Sequence, residues 1–148
     1  MKSAKILLTS MMLLLMTFAS FAANNNPSND EQAVKQSIET FVKGVDSRNV
    51  DAIKNVISSD ASFVTVNTLT KKNEEFSHDG LVDQVQSGKM GGWVRNLSVS
   101  SVDVNDNVAM AKVEITDARL KRVGYISLVK GNDGWKIVSE VSTLGLNK

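Results

Sequence analysis

The stretch NVAMAKVEITDARLKRVGYISLVKGNDGWKIVSEVST, residues 107–143, decides the fold of this chain. It contains three runs rich in Val, Ile, Ser and Thr, a composition typical of β-strands, and a fourth such run precedes it. The four runs are residues 93–104, 108–117, 120–130 and 135–143. The joints at residues 105–107 and 131–134 consist of Asn, Asp and Gly, which tolerate the positive φ of tight turns. Short consecutive joints predict four antiparallel strands in a meander.

The segment before this meander has the periodicity of helices. A capping-box sequence at residues 28–31 precedes apolar residues at helical spacing, which predicts a long amphipathic helix over residues 30–47. The other predicted elements are a short helix after Asn49 that ends at residues 58–60, a strand at 61–66, and a third helix capped by Ser77 or Asp79. Residues 68–75 fit either a strand or a loop. Helices followed by a curled antiparallel sheet around the N-terminal long helix define an α+β fold.

The first 22 residues have the pattern of a secretory signal peptide. Lys2 and Lys5 precede an apolar run at residues 6–18, and Ser20-Phe21-Ala22 offers small residues for cleavage after Ala22. The run is shorter than the roughly 20 residues of a membrane span, although an uncleaved anchor is the alternative. No cysteine follows it, which excludes lipid attachment there. We therefore predict a periplasmic or secreted protein with a flexible leader at residues 23–29 and a single domain at residues 30–148.

Composition excludes several classes of function. The chain has no cysteine, so disulfides, thiol nucleophiles and zinc–cysteine sites are excluded. Without residues 1–22 the formal charge is −1, which argues against a nucleic-acid binder. One histidine and no cysteine leave only carboxylates as further metal ligands, so no metal site is predicted. Phosphate-cradling glycine loops and the G-x-S-x-G motif are absent from the sequence, and no cofactor is predicted.

The order of elements resembles the nuclear transport factor two-like, or cystatin-like cone, superfamily. The most specific part is the strand that begins at Tyr125, its glycine turn and the closing Trp135-Lys136-Ile137-Val138 strand. Within the superfamily the chain is most similar to the putative lumazine-binding family of secreted bacterial proteins, and residues 107–113 resemble its central strand. The resemblance implies a cone whose open end can hold a small molecule. Gly124 stands where that family is expected to carry an aspartate, so any role of that carboxylate is absent or relocated.

Two residues are candidates for acid–base chemistry. Asp117 ends the apolar face of its strand near the expected mouth of the cone, where apolar neighbours would raise the pKa of a carboxyl group. His78 is the only histidine and is the one side-chain type that titrates near neutral pH. The structural alternatives are a turn cap for Asp117 and an exposed or capping residue for His78. Because adjacent residues at a helix start are not expected to face each other, the neighbours His78 and Asp79 are not evidence of a catalytic dyad.

Further residues are candidates for ligand binding or for the core. Tyr125 fits a hydroxyl donor in the cavity or a ring packed in the sheet, and Trp93 fits a pocket edge, whereas Trp135 fits the core. Arg119 and Lys121 share a strand face that could hold an anionic ligand or simply be solvated. The predicted cavity lining is Phe41, Phe63, Trp93, Ile115, Asp117 and Tyr125.

These observations favour a non-catalytic domain that binds a small apolar or flat-ring ligand and forms a homodimer through the outer face of its sheet. One alternative is an isomerase, dehydratase or cyclase with Asp117 or His78 as general base and Tyr125 as hydrogen-bond donor. Another is a protein–protein interaction module with a filled cone. Fold alone does not decide among these classes.

Overall fold

The structure is a computed structural model that describes residues 28–148, so the predicted signal peptide and most of the predicted leader lie outside the described residues. The three helices are α1 (Asn29–Ser47), α2 (Val50–Val56) and α3 (His78–Gln86). The six strands are β1 (Ile57–Asn67), β2 (Lys72–Ser77), β3 (Asn96–Asn105), β4 (Val108–Thr116), β5 (Leu120–Gly131) and β6 (Gly134–Leu146). Each helix within this part of the chain is too short or too polar to serve as a membrane span.

The strands form one curled, unclosed sheet in the order β2-β1-β6-β5-β4-β3. The predicted meander is confirmed, since β3, β4, β5 and β6 pair antiparallel in sequence order. β1 joins the sheet by parallel pairing with β6, and β2 pairs antiparallel with β1. The α+β prediction is therefore confirmed, and β2 and β3 are the two edges of the sheet.

Helix α1 lies across the inner face of this sheet. Its start is fixed by Ser28, whose Oγ accepts a hydrogen bond from the Glu31 amide at 3.1 Å. Its end is fixed by Arg48, which adopts the left-handed conformation at φ 59°. The face with the apolar periodicity is buried: Val34, Ile38, Phe41, Val42 and Val45. Burial of this stripe supplies most of the stability of such a helix.

Several predicted boundaries were wrong, among them the end of the second helix and the start of the first meander strand. The second helix ends at Val56, and residues 58–60 belong to β1, because the backbone becomes extended at Ile57 and pairs with Ile137 of β6. The first strand of the meander, β3, begins at Asn96 rather than at residue 93, because Gly91 and Gly92 take positive φ and keep the chain that follows them out of the sheet. The undecided residues 68–75 form a turn followed by most of β2. Ser77 caps the third helix, since its Oγ accepts a hydrogen bond from the Gly80 amide at 3.2 Å.

The predicted core position of Trp135 is confirmed, and the indole connects the sheet to α1. Trp135 is 4% exposed, and its Nε1 donates a hydrogen bond to Asp30 at 3.1 Å. Lys130 Nζ also donates to the same Asp30 oxygen at 2.6 Å. These two hydrogen bonds hold the pKa of Asp30 below its ordinary value of 3.8, the lysine bond being the larger cause.

We predict that Asp30 contributes to the acid sensitivity of the fold. Because its pKa is lowered by folding, its stabilising effect is fully present above the unfolded value near 3.8 and is lost as the pH falls through the folded value. Urea unfolding at several pH values should show the Asp30→Asn variant losing less stability than wild type below that value. Asp60→Asn, at an exposed aspartate of β1, is the control and should follow the wild-type pH curve. Identical pH curves for wild type and Asp30→Asn would contradict the prediction.

Candidate functional site

The open end of the cone contains a cavity of about 410 Å³. It lies between the inner face of the sheet, α3 and the loop that precedes β3. This volume falls in the range of small-molecule sites in proteins, which starts at roughly 300 Å³. Its apolar lining comes from Phe76, Met90, Trp93, Ile115, Leu120 and Leu144.

The apolar floor of the cone lies beneath this cavity and is almost filled. Phe41 of α1 and Phe63 of β1 stack there, with ring centroids 5.4 Å apart and an interplanar angle of 15°. The space that remains beside them is about 30 Å³. A single water molecule needs about this much room. A larger ligand is therefore confined to the cavity of about 410 Å³ above the floor, the outer cavity.

A buried ion pair lies between the floor and the outer cavity. Arg122 of β5 donates from Nη1 to Glu140 of β6 at 3.3 Å, and Glu140 is 3% exposed. Strand register places the two residues diagonally, because Arg122 is opposite Leu144 and Glu140 is opposite Ile126. Gly124 lies between Arg122 and Ile126 and leaves this part of the inner face without a side chain. The carboxylate on this face is thus supplied by the neighbouring strand.

A second ion pair lies beside the first. Arg95 contacts Asp46 of α1 at 2.6 Å, and both side chains are largely buried. Burial lowers the pKa of the Arg95 guanidinium, with Asp46 opposing the shift, yet arginine remains cationic in proteins. Burial also raises the pKa of Asp46, and here the attraction of Arg95 opposes it. The Arg95 guanidinium lies 4.7 Å from the centroid of the Trp93 ring, a cation–π distance that holds the indole at the edge of the cavity.

The loop that carries Met90 and Trp93 is fastened to the end of α1. The Arg48 guanidinium donates hydrogen bonds to the carbonyls of Gly88 at 3.2 Å, Met90 at 3.4 Å and Gly91 at 3.1 Å. The amide of Gly92 donates to the Asp46 carbonyl at 2.7 Å. These contacts fix the position of one wall of the cavity.

Asp117 lies at the cavity mouth and also forms a turn. Its Oδ1 accepts hydrogen bonds from the amides of Arg119 at 2.8 Å and Leu120 at 2.7 Å. These two bonds are the main cause of a pKa below the ordinary value of 3.8. The structure agrees with the turn alternative for Asp117. The raised pKa that the acid–base alternative requires is wrong, because backbone donors and not apolar neighbours surround this carboxylate.

Five of the six predicted lining residues surround the cone interior. Phe41 and Phe63 lie at its floor, and the other three line the outer cavity: Trp93, Ile115 and Asp117. Tyr125 does not, and its predicted position was wrong. It is 52% exposed on the outer face, because the neighbouring residues Gly124 and Ile126 take the inward positions of β5.

Two other sequence expectations change in the structure. His78 is absent from the lining of the cavity, and its Nδ1 lies 2.8 Å from Asp79 Oδ1, so these neighbours do form a pair. The pair forms because His78 is the first residue of α3, where its side chain reaches the exposed carboxylate of the next residue. Lys121 faces outward and pairs with Glu114 at 2.7 Å, so Arg119 and Lys121 do not act together at the cavity. Arg119 and Arg122 line it instead.

Sequence reasoning missed Arg95 and Glu140, and it did not assign Arg122 to the cavity. Arg122 had a usable signal, because it alternates with the inward residues Gly124 and Ile126. Glu140 had none, since a bulge in β6 shifts the register between the pairs Ser127–Ser139 and Leu128–Ile137. If the alternation of inward and outward residues is counted from Ile137, Glu140 falls on the outer face of the sheet.

The cone architecture places this chain in the nuclear transport factor 2-like class of folds. An NTF2-like protein of Methylobacillus flagellatus superposes with a TM-score of 0.67 at 19% identity, covering 81% of this chain and 96% of that chain. An NTF2-like protein of Silicibacter pomeroyi gives 0.65 at 21% identity, covering 78% and 94%. A cystatin-like domain of Nostoc punctiforme gives 0.64 at 19% identity, covering 82% and 80%. These likenesses establish the fold.

Within that class the chain belongs to the putative lumazine-binding family, whose sequence profile matches residues 29–142. The similarity that the strands of residues 107–143 indicated is thereby confirmed. A search of curated proteins finds no significant match. Among residues 28–148, no three side chains of the His, Asp and Glu types are grouped as metal ligands would be.

Proposed function

We propose that this chain is a binding domain for a small, mostly apolar or flat-ring molecule. The observation that carries the proposal is the open cavity of about 410 Å³, whose lining combines six apolar side chains with polar and charged groups that converge on the same space. Trp93 is 41% exposed at its edge and offers an indole face for stacking on a ring. The family description names lumazine, a flat bicyclic ring, which agrees with this type of ligand.

Binding without catalysis is favoured over an isomerase, dehydratase or cyclase activity. That alternative needs Asp117 or His78 as general base and Tyr125 as donor. The lowered pKa of Asp117 makes it a weak base, while Tyr125 lies on the opposite face of the sheet. The filled cone of an interaction module agrees poorly with a cavity of about 410 Å³.

Native mass spectrometry of the protein recovered from its own cells tests the proposal. We expect a co-purifying small molecule in wild type and its loss in Leu144→Trp, because the larger ring would occupy the outer cavity. Thr143→Trp adds the same ring one residue earlier, at an exposed position, and should retain the ligand. A ligand retained equally by wild type and both variants would contradict binding in this cavity.

We also propose a homodimer formed by the outer face of the sheet. Val108, Met110, Tyr125 and Val141 are each more than half exposed there, on adjacent strands. Glu114 and Lys121 on the same face neutralise each other. A second copy suits this surface, because a two-fold contact buries the same apolar patch on both subunits. Native mass spectrometry should give twice the chain mass, and Met110→Lys should give the monomer, whereas a monomeric wild type would contradict the proposal.

A periplasmic or secreted location is the remaining part of the proposal, and the signal-like residues 1–22 support it. N-terminal sequencing of the protein from the cell envelope should begin at Ala23. A protein that retains residues 1–22 in the cytoplasmic fraction would contradict this location.

A further inference from the structure

Arg122 has most of its hydrogen-bonding capacity unused by the described part of the protein. A guanidinium has five N–H donors. Within residues 28–148, its single polar contact is the 3.3 Å bond to Glu140. The side chain is 23% exposed and lines both the floor space and the outer cavity. Donors therefore remain available at the inner end of the cavity.

Further cationic donors line the same cavity. Its lining contains four basic side chains, Lys89, Arg95, Arg119 and Arg122, against two acidic ones, Glu74 and Asp117. Both acids already accept hydrogen bonds, Glu74 from Asn67 Nδ2 at 3.0 Å and Asp117 from two backbone amides. Among the described residues, Lys89 and Arg119 have no carboxylate within ion-pair distance. Arg95 and Arg122 are each paired with a carboxylate, Asp46 and Glu140, so the donors left for a ligand oxygen come from Lys89, Arg119 and the unused N–H groups of Arg122.

We propose that the ligand carries a carboxylate, which accepts hydrogen bonds from Arg122 while its apolar or flat-ring body lies against Trp93, Met90 and Phe76. This inference rests on the proposed binding function and specifies its chemical class. Arginine suits this role, because its planar fork matches the two oxygens of a carboxylate. Glu140 competes for the same guanidinium and so limits the strength of the new contact.

Two probes with the same ring separate the charge from the shape of the ligand. We would titrate 2-naphthoate and 2-naphthamide into the isolated, ligand-stripped protein by calorimetry at low ionic strength. We expect the carboxylate to bind at least about tenfold more tightly than the amide, since hydrogen bonds to an ionised group are roughly twice as strong as neutral ones. Raising the salt concentration should weaken only the carboxylate.

Three variants test the role of Arg122 itself. Glu140→Gln removes the competing charge, so naphthoate should bind about threefold or more tightly while naphthamide is unchanged. The double variant Arg122→Gln, Glu140→Gln replaces the ion pair by neutral amides of similar shape, which avoids a stranded charge, and it should lose the preference for the carboxylate. Lys121→Gln is the matched control one residue away on the outer face, and it should keep the preference.

The outcomes distinguish this inference from the function on which it rests. Equal affinity of the two probes for wild type would overturn the carboxylate inference and leave the cavity as a neutral binding site. A preference that survives in the double variant would overturn the assignment of the carboxylate to Arg122 and place it on another cation of the lining. Binding of neither probe, or binding unaffected by Leu144→Trp, would overturn the proposed function and this inference with it.

Discussion

Replacing Arg122 by methionine is expected to destabilise the fold by about 3–5 kcal/mol, the usual effect of breaking a buried ion pair. The physical cause is Glu140, which is 3% exposed and would remain as a buried carboxylate without its cationic partner. Because Arg122 keeps 23% of its side chain exposed to the cavity, the lower end of that range applies. Urea unfolding monitored by tryptophan fluorescence would measure the effect.

The double variant Arg122→Met, Glu140→Leu is the informative companion. Replacing both partners of a buried pair by apolar residues of similar size is often neutral or stabilising. We therefore expect it to unfold within about 1 kcal/mol of wild type. Lys121→Met breaks the exposed pair with Glu114 on the outer face and should cost less than about 1 kcal/mol. A single-variant cost as small as that of Lys121→Met would show that Glu140 does not depend on Arg122.

A double variant with the unfolding free energy of wild type would also bear on function. It would mean that the chain places two charges beneath its cavity without a net gain in stability. Charged groups placed in that way are common at binding sites, where they contribute to specificity at the expense of stability. The carboxylate preference and the unfolding energies are independent measurements. If the double variant keeps the stability but loses the preference, Arg122 contributes to ligand binding rather than to folding.

The fold was predictable because its local signals agree with its long-range contacts. The turns at residues 105–107 and 131–134 fix two neighbouring strand pairs, β3–β4 and β5–β6, and the helical periodicity before them supplies the layer that covers the sheet. The parallel pairing of β1 with β6 was not predictable in this way. It joins segments about 80 residues apart, and no single turn connects them.

The candidate site was predictable only in part, and the failures have specific causes. Tyr125 was misplaced because both faces of β5 carry apolar residues, so the pattern did not tell the inner face from the outer one. Glu140 was missed because a bulge reverses the alternation of β6. Arg95 was missed because it lies in the loop before β3, where neither the helical nor the strand periodicity of apolar residues applies. Its position depends on contacts with Asp46 and Trp93.

Gly91→Ala is the second substitution with a large expected effect, about 3 kcal/mol or more of destabilisation, since backbone strain and overpacking each contribute about 1–3 kcal/mol. Gly91 is buried at φ +94°, and an added Cβ would lie 2.2 Å from the Val45 carbonyl oxygen and 2.8 Å from Arg48 Cγ. The loop would have to leave α1, which would also displace the wall formed by Met90 and Trp93. Urea unfolding and probe binding should therefore both be weakened.

Gly134→Ala separates the two causes of that effect. Gly134 has a nearly identical φ of +95°, yet nothing lies within 4 Å of an added Cβ there, so its alanine variant measures backbone strain alone. Gly131→Ala also meets open space and lacks the positive φ, and it should be close to neutral. If close packing against α1 positions the cavity wall, Gly91→Ala must be less stable than Gly134→Ala, and only Gly91→Ala should weaken naphthoate binding. Equal destabilisation with unchanged binding would mean that the loop can shift without moving Trp93, and the wall would then be adaptable rather than fixed by Arg48.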